Sequence, residues 1–248
     1  MSTFIKNFNW DEFDLTPNTK AFLKRVYASG LDKYARRLTS LGFNGGKKAL
    51  DAGCGLGQWS MGLSQICEEV CGIDVSPERI SACTNIAKSM GIANAHFSSA
   101  HLERLPFPDK HFDRVICYSV LYLTDYQKSI EEFSRVTQSG GLVYVSTNAI
   151  GRYLYDIVKR PNPAPDFDPR IYGIKTIANT LFGRRTDLSS SNGGVAMPRK
   201  KTIHLLEKNG FKIVDSGAEG TLMGCNEPFQ PVRYLGMVST FDILAWKI

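Results

Sequence analysis

The chain has 248 residues, of which 43% are hydrophobic and 22% are charged, so it can bury a sizeable core. This composition excludes a wholly disordered, collagen-like or disulfide-stapled protein. The longest apolar runs, such as 120–123 and 143–145, are far shorter than the roughly 20 residues that span a bilayer. Because the N-terminus is polar and acidic where a signal peptide would be apolar, we expect a cytoplasmic protein.

The positive charge is concentrated in one segment. Residues 151–201 contain ten Lys or Arg and four Asp or Glu, a balance of +6, and the whole chain also has a net charge of +6. The rest of the chain is therefore neutral. A basic segment on a neutral body attracts an anionic substrate, a nucleic acid or a membrane surface, and a solvated loop is the alternative.

The six cysteines show no CxxC spacing, so neither a zinc site nor a disulfide framework is indicated, and all six are expected to be reduced. Asp, Glu and His residues form no cluster at ligand spacing near the predicted strand ends. We therefore expect no metal.

The predicted elements begin with an amphipathic helical stretch over 18–41. From Lys47 onward, short apolar runs alternate with helical patterns, which is typical of a mostly parallel sheet with crossover helices. Ser76 and Pro77 mark a helix start, because serine is a good N-cap and proline suits the first helical position. The pattern predicts strands at 49–52, 70–73, 95–97, 113–118 and 142–146, and helices at 58–68, 77–90 and 125–137.

After this core the regular pattern breaks. Residues 148–198 contain several prolines and a polar run, which predicts an irregular insertion with one or two short helices. A helix at 200–208 and two strands at 211–215 and 237–245 follow. We expect a single domain over 1–248, made of an N-terminal helical lid (1–45), a core (46–147), the insertion (148–198) and a C-terminal helix with a strand pair (199–248).

The sharpest motif is the sequence LDAGCGLGQW, residues 50–59. An apolar strand runs into Gly53, Gly55 and Gly57, and a helix follows. Glycines allow a ligand to approach the main chain and permit backbone conformations that other residues avoid. The spacing G-x-G-x-G differs from the G-x-G-x-x-G of dinucleotide-binding proteins, which disfavours a nicotinamide dehydrogenase.

A second motif strengthens the first. Asp74 ends the second predicted strand, 17 residues after Gly57, where a carboxylate can accept both hydroxyls of a ribose. An exposed acid at a strand end is the alternative reading, and the coupling with the glycine loop disfavours it.

Four stretches together resemble the class I S-adenosylmethionine-dependent methyltransferases, in particular the small-molecule, type 11-like group. They are LDAGCGLGQWS, GIDVSPERI, HLERLPFPDKHFDRVICYSVLYLTD and SGGLVYVST, and they cover about 47–147. The resemblance implies a Rossmann-like, mostly parallel seven-stranded sheet whose last strand is antiparallel. It also implies S-adenosylmethionine as cofactor and S-adenosylhomocysteine as product.

The resemblance also implies roles for individual residues. Gly53, Cys54, Gly55 and Gly57 form the loop under the methionine part of the cofactor, Asp51 binds its amino group, Asp74 holds the ribose and Val75 packs on the adenine. An acidic residue usually accepts from the adenine amino group, but this chain has His101 there. A neutral imidazole also accepts, the backbone N–H of Leu102 reads the ring, and Glu103 or Ser99 substitutes if the loop shifts. Tyr118 is expected to touch the cofactor.

Methyl transfer needs a positioned acceptor and exclusion of water, and it needs a base only if the acceptor must lose a proton. Such a site lies at the carboxyl ends of parallel strands, where Tyr122 is our candidate catalytic residue and His96, His111 and His204 are not expected. The insertion supplies Arg152, Tyr153 and Tyr172 as candidate acceptor contacts, with a small satellite core as the alternative. The N-terminal aromatic residues are expected to form a lid over the cofactor, with ordinary packing as the alternative; they are Trp10, Phe13, Tyr27 and Tyr34. The insertion adds Tyr155, Phe167 and Phe182 to the acceptor pocket or to the satellite core.

These observations favour methyl transfer to an oxygen or nitrogen of a small biosynthetic acceptor, such as a natural-product or glycan intermediate with sugar, aromatic or anionic character. RNA or protein methylation, carbon methylation of a lipid or quinone, and cofactor binding without turnover remain alternatives. The expected partner is a small molecule, with neither a membrane nor a nucleic acid. Both a monomer and a homodimer fit the sequence.

Overall fold

The computed structural model describes residues 13–28, 30–183, 188–189 and 191–248. Its strands are β1 (Gly46–Ala52), β2 (Cys67–Asp74), β3 (Ala95–Ser99), β4 (Phe112–Tyr118), β5 (Thr137–Asn148), β6 (Phe211–Ala218), β7 (Arg233–Tyr234), β8 (Met237–Val238) and β9 (Thr240–Lys247). Its α-helices are α1 (Pro17–Ala28), α2 (Asp32–Ser40), α3 (Gln58–Leu63), α4 (Pro77–Ser89), α5 (Tyr126–Val136), α6 (Ile150–Lys159), α7 (Pro169–Leu181) and α8 (Arg199–Lys208). Trp10, Arg184, Arg185 and Asp187 lie outside the described residues.

Seven strands form one sheet in the order β3-β2-β1-β4-β5-β9-β6. All neighbouring strands are parallel except β9, which runs antiparallel to both β5 and β6. The predicted mostly parallel sheet with an antiparallel last strand is confirmed. The strand order reverses between β1 and β4, and the carboxyl ends on either side of such a reversal are where open α/β sheets bind ligands.

The sheet is covered on both faces, which explains its long apolar strands. In β5, Tyr144 packs into one hydrophobic cluster while Val143 and Val145 pack into the other, because successive side chains of a strand point to opposite faces. The first cluster includes residues of α1 to α3, and the second includes residues of α5 and α8.

Local signals mark several helix starts correctly. The Ser76 hydroxyl accepts a hydrogen bond from the N–H of Arg79, and Pro77 opens α4 as predicted. Asp125 and Asp168 cap α5 and α7 in the same way. A side-chain oxygen at these positions satisfies an N–H group that has no partner within the helix.

The helical stretch predicted over 18–41 consists of two helices, α1 and α2. Gly30 separates α1 from α2 with φ of +80°, a left-handed conformation that interrupts a right-handed helix.

The helix predicted to continue to residue 68 is too long. It ends at Leu63, and Cys67 already pairs with Gly46. Pairing along the whole of β1 extends β2 backwards, so both Cys67 and Cys71 belong to that strand.

The last predicted strand is divided in two. Met237–Val238 pairs with Arg233–Tyr234 in a short hairpin, and β9 begins only at Thr240. Leu235 and Gly236 both have positive φ, as a tight two-residue turn requires.

The described part of the 148–198 segment contains the helices α6 and α7. In the described part of the chain, every helix is too short or too polar to cross a membrane.

Candidate functional site

The glycine loop lies between β1 and α3, at the carboxyl edge of the sheet. Gly53, Gly55 and Gly57 all have positive φ, at 82°, 57° and 79°. A Cβ at Gly53 would lie 2.6 Å from the methyl groups of Val120, so only glycine lets the loop pass the end of β4. A Cβ at Gly55 would meet nothing within 4 Å, so this part of the loop has open space beside it.

Asp74 lies beside this loop, at the end of β2. Its Oδ2 accepts the N–H of Gly55 at 3.0 Å, and its Oδ1 accepts the N–H of Ser76 at 3.0 Å. The residue is only 5% exposed. Each carboxylate oxygen can accept a second hydrogen bond, so two further donors, such as the hydroxyls of a ribose, have acceptors here.

Two exposed residues near Asp74, Val75 and His101, offer surface that a flat ligand could contact. Val75 is 58% exposed, although it directly follows a buried strand. His101 is exposed and Leu102 is buried in the second hydrophobic cluster. The structure thus offers an exposed valine and an exposed imidazole, and the predicted adenine contacts stay predictions.

Asp51 lies within β1 and is buried. Its Oδ2 accepts the hydroxyl of Ser60 at 2.6 Å. Burial raises the pKa of Asp51 to about 7, although the bonds from Ser60 oppose this shift. The carboxyl is therefore balanced between its neutral and charged forms at neutral pH, and a nearby cation would favour the charged form.

Helix α1 and the thiol of Cys83 support the glycine loop. The Tyr27 hydroxyl, on α1, donates to the carbonyl of Leu56 at 2.8 Å. The thiol of Cys83 donates to the carbonyl of Gly55 at 3.4 Å, and burial raises the pKa of the Cys54 thiol well above its usual value. Cys54 is therefore a neutral, packed side chain.

The end of β4 is the next part of this edge. Ser119 has φ of +56°, an uncommon conformation for a residue other than glycine and one often found at functional sites. Its hydroxyl accepts from the Gln230 side chain at 3.1 Å. The Tyr118 hydroxyl donates to Glu219 at 3.0 Å, and its ring lies 4.6 Å from that of Trp59, so its side chain already has partners.

Tyr122 follows β4 and joins a group of tyrosines. Its ring centroid is 6.3 Å from that of Tyr153, which is 6.1 Å from that of Tyr172. Burial raises the pKa of all three hydroxyls. The tertiary structure therefore brings together Tyr122 and two of the candidate acceptor contacts, and all three remain protonated at neutral pH.

Arg152, the remaining candidate contact, is already paired. Its Nε donates to both carboxylate oxygens of Asp156, at 3.0 and 3.1 Å, and its Nη1 donates to the Gln230 side chain. Gln230 thus links Arg152 on α6 to Ser119 after β4. An anionic ligand at Arg152 would have to compete with these partners.

A buried ion pair behind the site was missed by sequence reasoning. Arg37 on α2 donates to Glu219, which follows β6, and their side chains are 1% and 0% exposed. The other oxygen of Glu219 accepts the N–H groups of Phe229 and Gln230 at 2.8 and 3.2 Å. The pair therefore ties the N-terminal helices to the loop that supplies Gln230. Its members lie 182 residues apart, and no local pattern in the sequence indicates it.

A separate cavity of about 230 Å³ lies between α7, the 195–198 segment and α8. Its lining includes Asn179, Lys201 and Thr202 but neither the glycine loop nor Tyr122.

The three histidines that we did not expect at the site lie elsewhere in the fold. His96 lies near the start of β3, His111 directly before β4 and His204 within α8. Over the described ranges, no group of three or more His, Cys, Asp or Glu residues is placed to hold a metal ion.

The strand order, the glycine loop and the strand-end acid together define a class I S-adenosylmethionine-dependent methyltransferase fold. Residues 49–141 match the family of the methyltransferase domain. Over this segment the chain is similar to class I S-adenosylmethionine-dependent methyltransferases.

Curated relatives are similar over the same region. The chain is 32% identical over 95 residues to the uncharacterized methyltransferase YcgJ of Bacillus subtilis (strain 168), covering 38% of each chain. It is 34% identical over 101 residues to the demethylmenaquinone methyltransferase of Geobacillus kaustophilus (strain HTA426), covering 39% of this chain and 43% of that one. The matches thus span about two fifths of the length of these relatives.

Solved structures are similar over most of the chain. A geranyl diphosphate methyltransferase in complex with S-adenosylmethionine has a TM-score of 0.64 at 16% identity, covering 92% of this chain and 91% of that one. The [4+2]-cyclase SpnF has a TM-score of 0.60 at 18% identity, covering 88% of this chain and 81% of that one. At these identities the likeness shows the fold alone.

Proposed function

We propose that this protein transfers a methyl group from S-adenosylmethionine to a small-molecule acceptor. The observation that carries the proposal is the bond between Gly55 and Asp74, which joins a loop of three positive-φ glycines to a carboxylate with acceptor positions left free. Fold likeness is insufficient, because one structural neighbour is described as a cyclase.

The residues at the carboxyl edge fit this cofactor. Asp74 would accept the ribose hydroxyls, and Val75 offers exposed apolar surface to the adenine. His101 and the N–H of Leu102 lie next in the chain to the third strand and would read the edge of the base. Asp51 would hold the amino group, because a cation stabilises its charged form.

When bound, S-adenosylmethionine supplies a methyl group on a positively charged sulfur, and transfer needs an acceptor atom in line with it. The protein's contribution is then to orient the acceptor and to exclude water. Tyr118 and Ser119 would border the reacting centre, and Gln230 holds Ser119 in its strained conformation.

We propose that Tyr122 orients the acceptor by donating a hydrogen bond. Burial raises the pKa of its hydroxyl, so the proton stays on the oxygen at neutral pH. A protonated phenol is a poor base and a good donor. An acceptor nitrogen would attack as the neutral atom and lose its proton after the transfer, whereas an acceptor hydroxyl would have to enter the site already deprotonated, because a protonated Tyr122 cannot take its proton.

The partly exposed ring of Tyr122, backed by the buried Tyr153 and Tyr172, supports an acceptor with aromatic or sugar character, because such rings pack well on flat apolar faces. The pairing of Arg152 with Asp156 and Gln230 gives less support to a strongly anionic acceptor. A second candidate is carbon methylation of a quinone, which the similarity to demethylmenaquinone methyltransferases favours. A small-molecule substrate and a cytoplasmic location are part of this proposal.

The first experiment is a calorimetric titration with S-adenosylmethionine, S-adenosylhomocysteine and NAD in parallel. We expect both adenosyl ligands to bind and NAD to give no heat. Acceptors are then screened by release of S-adenosylhomocysteine, with phenols, glycosides and demethylated quinones as separate groups. Failure of a folded sample to bind either adenosyl ligand would overturn the cofactor assignment, and binding without turnover on any acceptor would favour a non-catalytic role.

A further inference from the structure

Helix α7 has its polar and apolar faces reversed relative to an ordinary surface helix. The residues that it buries are Pro169, Tyr172, Gly173, Thr176 and Asn179, which are mostly polar or small. Surface helices normally bury an apolar stripe and expose polar residues.

The buried polar face has a structural explanation. Thr176 accepts the N–H of Gly194 at 3.0 Å, and Thr180 accepts that of Ala196 at 2.8 Å. The Asn179 amide donates to the carbonyl of Asn192 at 3.0 Å. The inner face of α7 therefore holds the 192–196 segment by hydrogen bonds, which needs polar side chains.

The outer face has no such explanation. Ile171 and Ile174 are each 54% exposed, Leu181 is 77% exposed and Phe182, directly after the helix, is 87% exposed. At about 100° of rotation per residue, the three helical positions fall within an arc of about 80° on one side of the helix. Contiguous apolar residues of this kind mark an interaction surface more often than scattered exposed residues do.

Basic residues border this stripe on both sides. On the same helical projection, Arg170 lies about 20° beyond Leu181 and Lys175 about 40° beyond Ile171. Both side chains are exposed, and each donates one hydrogen bond to a backbone carbonyl, Arg170 to Ile157 and Lys175 to Ser191. Among the described residues neither has a carboxylate within ion-pair distance, whereas Asp168 at the helix start pairs with Arg160.

We propose that the outer face of α7 (Ile171, Ile174, Leu181 and Phe182, with Arg170 and Lys175) docks on an anionic phospholipid bilayer. An apolar stripe bordered by Lys and Arg is the arrangement of helices that lie in the membrane interface, where apolar side chains enter the acyl region and basic ones reach the headgroups. The charge of the segment supports this partner, because residues 151–201 carry the +6 balance of the chain.

A symmetric contact between this face and the same face of a second copy is disfavoured, since it would bring like charges together. Peripheral docking departs from our sequence-based expectation of no membrane partner, and it needs no membrane-spanning helix.

The test is sedimentation of the full chain with vesicles. Vesicles of phosphatidylcholine with roughly one third phosphatidylglycerol are compared with phosphatidylcholine alone, at low and high salt. We expect binding to the anionic vesicles that weakens with salt. Replacing Ile171, Ile174 and Leu181 together by Ser should weaken binding about tenfold or more, since these exposed side chains provide the apolar contact. Arg170→Gln and Lys175→Gln should each weaken it about fivefold.

Ile248→Ser is the matched control, because Ile248 is 74% exposed and follows β9, at the edge of the sheet away from the carboxyl ends of the parallel strands. It should bind vesicles as the wild type does. Circular dichroism checks that the Ser variant is folded. Absence of wild-type binding to anionic vesicles at low salt would overturn the proposal. Vesicle binding that is unchanged in the Ser variant would also overturn it. So would a wild-type dimer, seen by light scattering, that does not bind vesicles and that dissociates in the Ser variant, since the face would then bind a second copy of the protein.

Discussion

The backbone N–H of Gly55 donates to Oδ2 of Asp74 at 3.0 Å, across the gap between the ends of β1 and β2. The loop and the acid therefore form one unit, in which the glycine backbone fixes the orientation of the carboxylate. Under the proposed cofactor role, the remaining acceptor positions of the carboxylate would receive the two hydroxyls of the ribose.

Asp74→Ala should weaken S-adenosylmethionine binding by about a hundredfold or more, because hydrogen bonds to a charged group contribute about 1.5–3 kcal/mol each. Calorimetric titration measures the loss. Asp113→Ala is the matched control, since Asp113 also accepts two backbone N–H groups but at the start of β4. Equal affinities of the Asp74 and Asp113 variants would refute the ribose role, and Asp74→Asn separates loss of charge from loss of the loop contact.

Cofactor affinity should rise with pH through about 7. Burial raises the pKa of Asp51 to about 7, so the carboxyl is neutral below this pH and charged above it. The charged form attracts the amino group of S-adenosylhomocysteine, whereas methylthioadenosine has no such group and should bind independently of Asp51. Calorimetry from about pH 6 to about 8 measures both ligands.

Asp51→Asn is the control for this pH dependence, because its amide keeps an oxygen that can accept from Ser60 but does not titrate. A rise in affinity that persists in Asp51→Asn would assign the titration to another group. The same shift predicts that Asp51 lowers the stability of the folded wild type as pH rises from about 4 to about 7, since the folded state binds the proton more tightly than the unfolded state.

His101→Ala should weaken cofactor binding only about two- to tenfold, the effect of one neutral hydrogen bond. His101 is exposed, and the backbone of Leu102 remains in place. His111→Ala, before β4 at the opposite edge, should leave the affinity unchanged in the same titration. Complete loss of binding in His101→Ala would instead make the imidazole essential.

Arg37→Met should lower the free energy of unfolding by about 3–5 kcal/mol, because it leaves the Glu219 carboxylate buried without its charge partner. Urea unfolding measures this loss. Arg37→Met combined with Glu219→Gln should cost less than the two single changes together. Lys48→Met is the control, since Lys48 pairs with Glu69 at 3.6 Å on the surface and its loss should cost at most about 1 kcal/mol. Similar losses at Arg37 and Lys48 would contradict a specific role for the buried pair.

The strands and the glycine loop were predictable because their signals are local. The continuous apolar run of β5, the Ser76 cap and the glycines at 53, 55 and 57 each depend on residues a few positions apart. Helix ends were less predictable. Whether residues 64–68 continue α3 or join β2 depends on pairing with β1, which adds hydrogen bonds that helix propensity does not represent.

Of the candidate site, the family resemblance implied the cofactor side, and the structure brings the glycine loop and Asp74 together. The acceptor side was predictable only in part. Tyr122, Tyr153 and Tyr172 come together as a group, but the pairing of Arg152 with Gln230 depends on a loop 78 residues away in the chain.

From the residues alone, the chain's local chemistry determines where strands run, where helices begin and where the backbone must be glycine. Those choices depend on φ, side-chain periodicity and N-cap hydrogen bonds, all of which act over one or two turns. The tertiary structure alone decides the Arg37–Glu219 pair, the bridge from Ser119 through Gln230 to Arg152 and the outward apolar face of α7. The ion pair and the bridge join segments that are distant in the chain. They form only once the sheet has brought its carboxyl ends, the N-terminal helices and the loop after β6 to the same edge.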